Sequence, residues 1–200
     1  MRIWPLVLAV SLCAGCGRAA PIPPTIALAH VQPQRPTPIA VTSSAIGTDG
    51  RIGDRYSAYG DNLSPPVSWT PVDGARAYAI VLEDPNAPGD NPFVHWMIWN
   101  ISGDAHQLPQ GLPNMSGLAT LGAARQGKND SGTFGYYGPH PPAGGSAHRY
   151  HFEVFALDGP LDVHADADLP TLTAAMKGHV LADGELAGTY RGPAAEQRSK

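Results

Sequence analysis

Four side chains in this sequence could do chemistry together: Asp84, His95, His148 and Tyr150. Imidazoles and a phenol offer hydrogen-bond donors, and a carboxylate can set an imidazole tautomer or help to charge it. Such a group suits a bound oxyanion. No serine or cysteine stands beside a histidine as an activated nucleophile, and no Gly-x-Ser-x-Gly elbow occurs. Two histidines and a carboxylate could also form a facial metal triad, but their spacing is not one that a single helix presents. The expectation is therefore a binding site with no catalytic residue, no metal and no cofactor.

Each residue has an ordinary structural role beside the functional one. Asp84 opens Asp84-Pro85-Asn86-Ala87-Pro88, where the prolines end a strand and stiffen a turn; its carboxylate could simply cap backbone N–H groups. His95 lies among Phe93, Val94, Trp96 and Met97 and must find a partner or be desolvated at a cost. His148 and Tyr150 could be a strand-edge histidine and a core tyrosine. A loop, Gly135-Tyr136-Tyr137-Gly138-Pro139-His140-Pro141-Pro142-Ala143-Gly144-Gly145, combines stiffness with close backbone approach and could wall a pocket. It lacks the Gly-Lys-Ser/Thr ending of a phosphate-binding loop, so nucleotide binding is not expected.

The elements that must position these residues are mostly strands. Residues 77–83 are almost all apolar and read as a strand buried on both faces. Runs 93–101 and 148–157 read likewise. In the latter, His148, Tyr150, Phe152, Val154 and Ala156 share one face, and Arg149, His151, Glu153, Phe155 and Leu157 the other. Shorter strands are expected over 39–46 and 185–190. The best helix covers 169–177, with Asp168 as N-cap, Pro170 in the first turn and Gly178 as the stop. The fold class is mainly β: a sandwich with peripheral helices, one near the C-terminus.

The 200 residues carry 13 Lys+Arg against 17 Asp+Glu, a net charge of −4 that disfavours nucleic acid as a partner. At 42% hydrophobic the chain can bury a core, and 23 Gly with 21 Pro imply many loops. The two cysteines, Cys13 and Cys16, exclude a disulfide scaffold beyond residue 16. Residues 1–15 read as a signal peptide, too short in apolar length to span a membrane. Ala14-Gly15-Cys16 looks like a lipobox, with Cys16 the lipidated residue. Residues 16–38 read as a proline-rich tether, 39–192 as the domain and 193–200 as a disordered tail. The expected location is the cell envelope, lipid-anchored and facing the periplasm or exterior, or secreted if the lipobox is not used.

Five motifs in order resemble one family: Ser64-Pro65-Pro66-Val67-Ser68-Trp69, Asp84-Pro85-Asn86-Ala87-Pro88, Val94-His95-Trp96, Gly138-Pro139-His140-Pro141-Pro142-x-Gly and His148-Arg149-Tyr150. The chain is similar, over about residues 40 to 192, to the phosphatidylethanolamine-binding protein family, in its bacterial Raf-kinase-inhibitor-like branch (the YbhB/YbcL type). That resemblance implies two antiparallel sheets, a small surface anion pocket and no established catalysis. It implies ligand-binding roles for Asp84, His95, His148 and Tyr150, with Gly138, Pro139, His140, Pro141 and Pro142 at the rim and Arg149 tying strand to pocket loop. The family's usual second aspartate is Asn86 here, which removes one negative charge from the mouth. The expected partner is a phosphate-like anion or phospholipid headgroup. The alternative is an inhibitor-like module that grips a phosphorylated or acidic segment of an envelope protein. Asp84 is expected to raise the pKa of a neighbouring imidazole, so that anion affinity rises on acidification.

Overall fold

A computed structural model describes residues 25–195. Its strands are β1 (Val41–Thr42), β2 (Val67–Trp69), β3 (Ala77–Asp84), β4 (Phe93–Ser102), β5 (Gln107–Leu108), β6 (Arg125–Gln126), β7 (His148–Leu157) and β8 (Val180–Tyr190), with one helix, α1 (Leu169–Met176). Two antiparallel sheets form, ordered β1-β2-β5 and β6-β4-β3-β7-β8.

β3 is buried at all eight positions because both of its faces are covered. Tyr78, Ile80 and Leu82 join Trp96, Ile98, Phe152 and Val154 against Val67, Trp69 and Leu108 of the small sheet. Ala77, Ala79 and Val81 join Met97, Trp99 and Phe155 beneath Leu172 and Met176 of α1. The helix starts where the Asp168 side chain accepts the Thr171 N–H at 2.9 Å, and Gly178 leaves it at a φ of 81°.

Between β3 and β4 the register shifts twice, between Tyr78 and Ile80 and again where Leu82 faces Trp96 and Glu83 faces Val94. His95 is the extra residue of the second bulge. A bulge re-aims the side chain that it carries, and here it puts His95 beside Tyr150, on the face that also bears Asp84 and His148.

Three expectations are corrected. Strand 39–46 shrinks to Val41–Thr42, because the Ser43 hydroxyl donates to the Pro66 carbonyl and accepts the Ala45 N–H, bending the chain away. Strand 185–190 begins earlier, at Val180, since β7 pairs with it along its whole length. The tether assigned to 16–38 is, over residues 27–35, docked on the large sheet. Ala27 and Val31 are buried, the Ala27 N–H donates to Glu83 Oε2 at 2.6 Å, and the Leu28 N–H donates to Glu153. Gln34 and Arg35 N–H groups then donate to the Val180 and Leu181 carbonyls. Two buried carboxylates and an open strand edge supply the partners that composition did not suggest. At the other end, the Pro193 carbonyl accepts the Gly144 N–H at 2.8 Å, so the assigned tail begins in contact with the loop. The signal peptide and Cys16 lie outside the described residues. Among those residues no helix is long and apolar enough to cross a membrane.

Candidate functional site

Asp84 ends β3, His95 lies near the start of β4 and His148 opens β7. β3 lies between the other two in the sheet, so residues far apart in sequence meet at one end of it. Their side chains line an open cavity of about 300 Å³. Phe93, Tyr137, His140, Pro142, Ala87, Pro88 and Ser131 complete the lining.

His148 Nδ1–H donates to Asp84 Oδ2 at 2.7 Å, and both side chains are nearly buried. The second oxygen, Asp84 Oδ1, accepts the Asn86 N–H at 2.8 Å. The carboxylate is thereby held by its own turn and in turn orients the imidazole. Nε2 is left as the free ring nitrogen of His148.

His95 is held differently. Its Nδ1–H donates to the Tyr137 carbonyl at 2.7 Å, and the two rings stack at 5.8 Å with an 8° interplanar angle. Phe93 lies 4.7 Å away and Tyr150 presents an edge at 5.2 Å, both between ring centroids. Burial pushes the His95 pKa down to about 4, against the opposing pull of the Tyr137 carbonyl and the Asp84 charge. The expectation that Asp84 would hold a neighbouring imidazole cationic is therefore corrected for His95, whose desolvation outweighs the carboxylate. It is neutral at pH 7 and presents Nε2 as an acceptor.

Tyr150 is fully buried and belongs to the floor beneath the cavity rather than to its lining. Burial, then the nearby Asp84 charge, raises its pKa; its hydroxyl lies close to the Asp84 carboxylate and the His140 backbone without a well-formed hydrogen bond among the described residues. Gly138 and Pro139 also lie behind the wall. The Gly138 N–H donates to Asn62 Oδ1 at 2.7 Å, and a Cβ there would fall 2.3 Å from the Tyr56 carbonyl oxygen. Pro139 accepts the Ala58 N–H through its carbonyl. His140 is exposed and shares a 2.9 Å hydrogen bond through Nδ1 with the Tyr137 hydroxyl. The Pro141 carbonyl accepts from the Tyr59 hydroxyl at 2.7 Å.

The Arg149 backbone N–H donates to Asn86 Oδ1 at 2.8 Å, a bond that joins β7 to the turn 84–88 rather than to the loop 135–145. The amide of Asn86 thus does the positioning that a carboxylate could also do, without the charge. Sequence reasoning missed Phe93, Tyr137, Ala87, Pro88 and Ser131 as lining residues. Phe93 could have been found from its place two residues before His95 on one strand; Tyr137 carried no signal beyond lying in the loop.

A larger cavity of about 550 Å³ lies on the opposite face, where Lys128 and Lys177 mix with Asp130 and Asp168. It contains none of the expected site residues. Among the described residues no group of three or more His, Cys, Asp or Glu is arranged to hold a metal ion.

Residues 42–191 match the family described as phosphatidylethanolamine-binding protein. A UPF0098 protein of Methanothermobacter thermautotrophicus is 43% identical over 148 residues, covering 74% of this chain and 95% of its own. A solved homologue from Chlamydia trachomatis superposes with a TM-score of 0.68 at 33% identity, covering 77% of this chain and 97% of its own. The structure of Escherichia coli YBCL, described as a new member of the mammalian PEBP family, gives 0.71 at 28% identity, covering 78% and 99%. The five ordered motifs, the two antiparallel sheets and these matches lead to one assignment: the chain belongs to the phosphatidylethanolamine-binding protein family.

Proposed function

We propose that this protein is a non-enzymatic module that binds a small phosphate-like anion, free or in a phospholipid headgroup, in the cavity around Asp84, His95 and His148. The observation that carries the reading is the 2.7 Å bond from His148 to Asp84 at an open cavity of about 300 Å³, which leaves both imidazole Nε2 atoms free for a ligand. A hydrolytic role is disfavoured by Ser131, the cavity's serine. Its hydroxyl donates to Asn129 Oδ1 at 2.6 Å and so is committed to its own loop rather than to an imidazole.

The envelope location rests on the apolar start and on Ala14-Gly15-Cys16, which together would place a lipid on Cys16. Membership of the YbhB/YbcL branch rests on the motif order and on the likeness to Escherichia coli YBCL. A second reading, capture of a phosphorylated or acidic segment of a partner, draws on Tyr59. Its ring is partly exposed and 4.5 Å from that of His140, which extends the rim with apolar surface.

Titration of the full chain with inorganic phosphate, followed by the imidazole resonances, tests the main reading. His95 and His148 resonances move on saturation, and unchanged shifts at millimolar phosphate would overturn it. Pull-down with wild type and His148→Ala tests the second: protein capture that depends on His148 supports it.

A further inference from the structure

We infer that the cavity selects oxyanions that still carry a proton, namely free phosphate and the protonated form of phosphate monoesters, because His95 presents them with an acceptor. This rests on the anion-binding reading and narrows it to free phosphate and monoesters: a sulfate or a phosphodiester, the usual phospholipid headgroup included, brings no such proton.

The tautomer follows from geometry. A carbonyl oxygen has no hydrogen to give, so the 2.7 Å contact with Tyr137 requires the proton to be on Nδ1 of His95. A ring with one proton then has a lone pair on Nε2; the Tyr137 bond occupies Nδ1, and the Gly138 backbone also lies close to the ring. His95 is 3% exposed; its ring is packed between Phe93, Tyr137 and Tyr150 and cannot turn over without losing the Tyr137 contact.

The groups facing it leave the lone pair in place. Asp84 on β3 is engaged by His148 and the Asn86 N–H. On β7, Tyr150 presents a ring edge and His148 turns its Nδ1–H toward Asp84. In the loop, His140 and Tyr137 share a hydrogen bond, while Asp130 accepts the Val94 N–H. Burial keeps the second proton off His95 down to about pH 4, despite the pull of Asp84.

An oxyanion entering this cavity meets an acceptor at His95. A P–O–H group donates to it. A bare oxygen leaves two acceptors opposed, a cost that corresponds to about a ten- to hundredfold loss of affinity. His148 Nε2 completes the contact, donating when its ring carries both protons and accepting otherwise.

Four probes of similar shape separate charge from proton. Sulfate and dimethyl phosphate have no proton, inorganic phosphate keeps one throughout the neutral range, and methyl phosphate loses its own near about pH 6. Calorimetry of the full chain at about pH 8 and constant ionic strength compares the doubly charged forms of phosphate and sulfate. Phosphate is expected to bind about ten- to hundredfold more tightly. Between about pH 5 and about pH 8 methyl phosphate weakens by at least about tenfold more than inorganic phosphate, which keeps a proton throughout. In His95→Gln, whose amide can present either end, the phosphate-to-sulfate ratio drops to within about threefold. Equal affinity for sulfate and phosphate in the wild type, or a methyl phosphate affinity flat across that range, overturns the selection and leaves anion binding standing. Binding of none of the four overturns both.

Discussion

His95 and Tyr137 form a closed unit, with the imidazole Nδ1–H donating to the tyrosine's own backbone carbonyl at 2.7 Å while the rings stack nearly parallel. The contact settles which nitrogen faces the cavity, and the burial that comes with it settles the charge.

The first consequence is a stability window. The pKa of His95 is lowered from 6.5 to about 4, so the unfolded chain binds more protons between those values. The stabilisation is present in full above about 6.5 and is lost as pH falls through about 4, a change on the order of 3 kcal/mol. Proton NMR should show the His95 ring unprotonated until the pH nears about 4, and His95→Gln should flatten the acid side of the stability curve. An ordinary titration midpoint for this ring would contradict its burial.

Asp84→Asn keeps an acceptor for the Asn86 N–H but sets an amide NH₂ against His148 Nδ1–H. The proton should move to Nε2 of His148, and unfolding free energy should fall by about 1–3 kcal/mol. Nitrogen chemical shifts of His148 report the tautomer, and urea unfolding reports the cost. A wild-type tautomer in this variant would show that Asp84 does not orient the ring.

Glu83 and Glu153 give the opposite pH slope. Burial, with their mutual repulsion at Glu153, raises both pKa values. A raised carboxyl pKa means stability present in full below about 4.5 and lost as pH rises through the folded-state values. Glu153→Gln keeps an acceptor for the Leu28 N–H and offers an amide donor toward Glu83. Its Tm at about pH 8 should exceed wild type by about 2–4 °C, with the advantage shrinking toward about pH 5. A lower Tm across the whole range would show that the charge itself clamps residues 27–35 to the sheet.

Gly138 and Gly159 should respond oppositely to alanine. A Cβ at 138 would meet the Tyr56 carbonyl oxygen at 2.3 Å, whereas nothing lies within 4 Å at 159. Gly138→Ala should cost about 2–3 kcal/mol in urea unfolding and Gly159→Ala under about 0.5 kcal/mol. Equal effects would mean that the cavity wall yields freely at Tyr56.

Local pattern carried much of the design. Alternation along β7 placed His148 and Tyr150 on one face, the prolines after Asp84 marked a strand mouth, and the Asp168 cap with Gly178 bounded α1. Those inferences succeed because each depends on a few neighbouring residues and on strand or helix periodicity. Alternation told that Tyr150 and His148 share a face, but only depth within the sheet separates a floor residue from a lining one. Glu83 and Glu153 stood out as charges inside apolar strands, yet nothing nearby in the chain named the backbone N–H groups of Ala27 and Leu28 as their partners.

The sequence by itself determined the family motifs, the strands that carry the site and the residue types able to bind an anion. Only the tertiary structure decided that β3 lies between β4 and β7, that a single extra residue swings His95 to the face of Asp84, and that this imidazole is neutral. The reason is physical: strand periodicity is local, whereas adjacency, bulge register and desolvation are properties of surfaces brought together from distant parts of the chain.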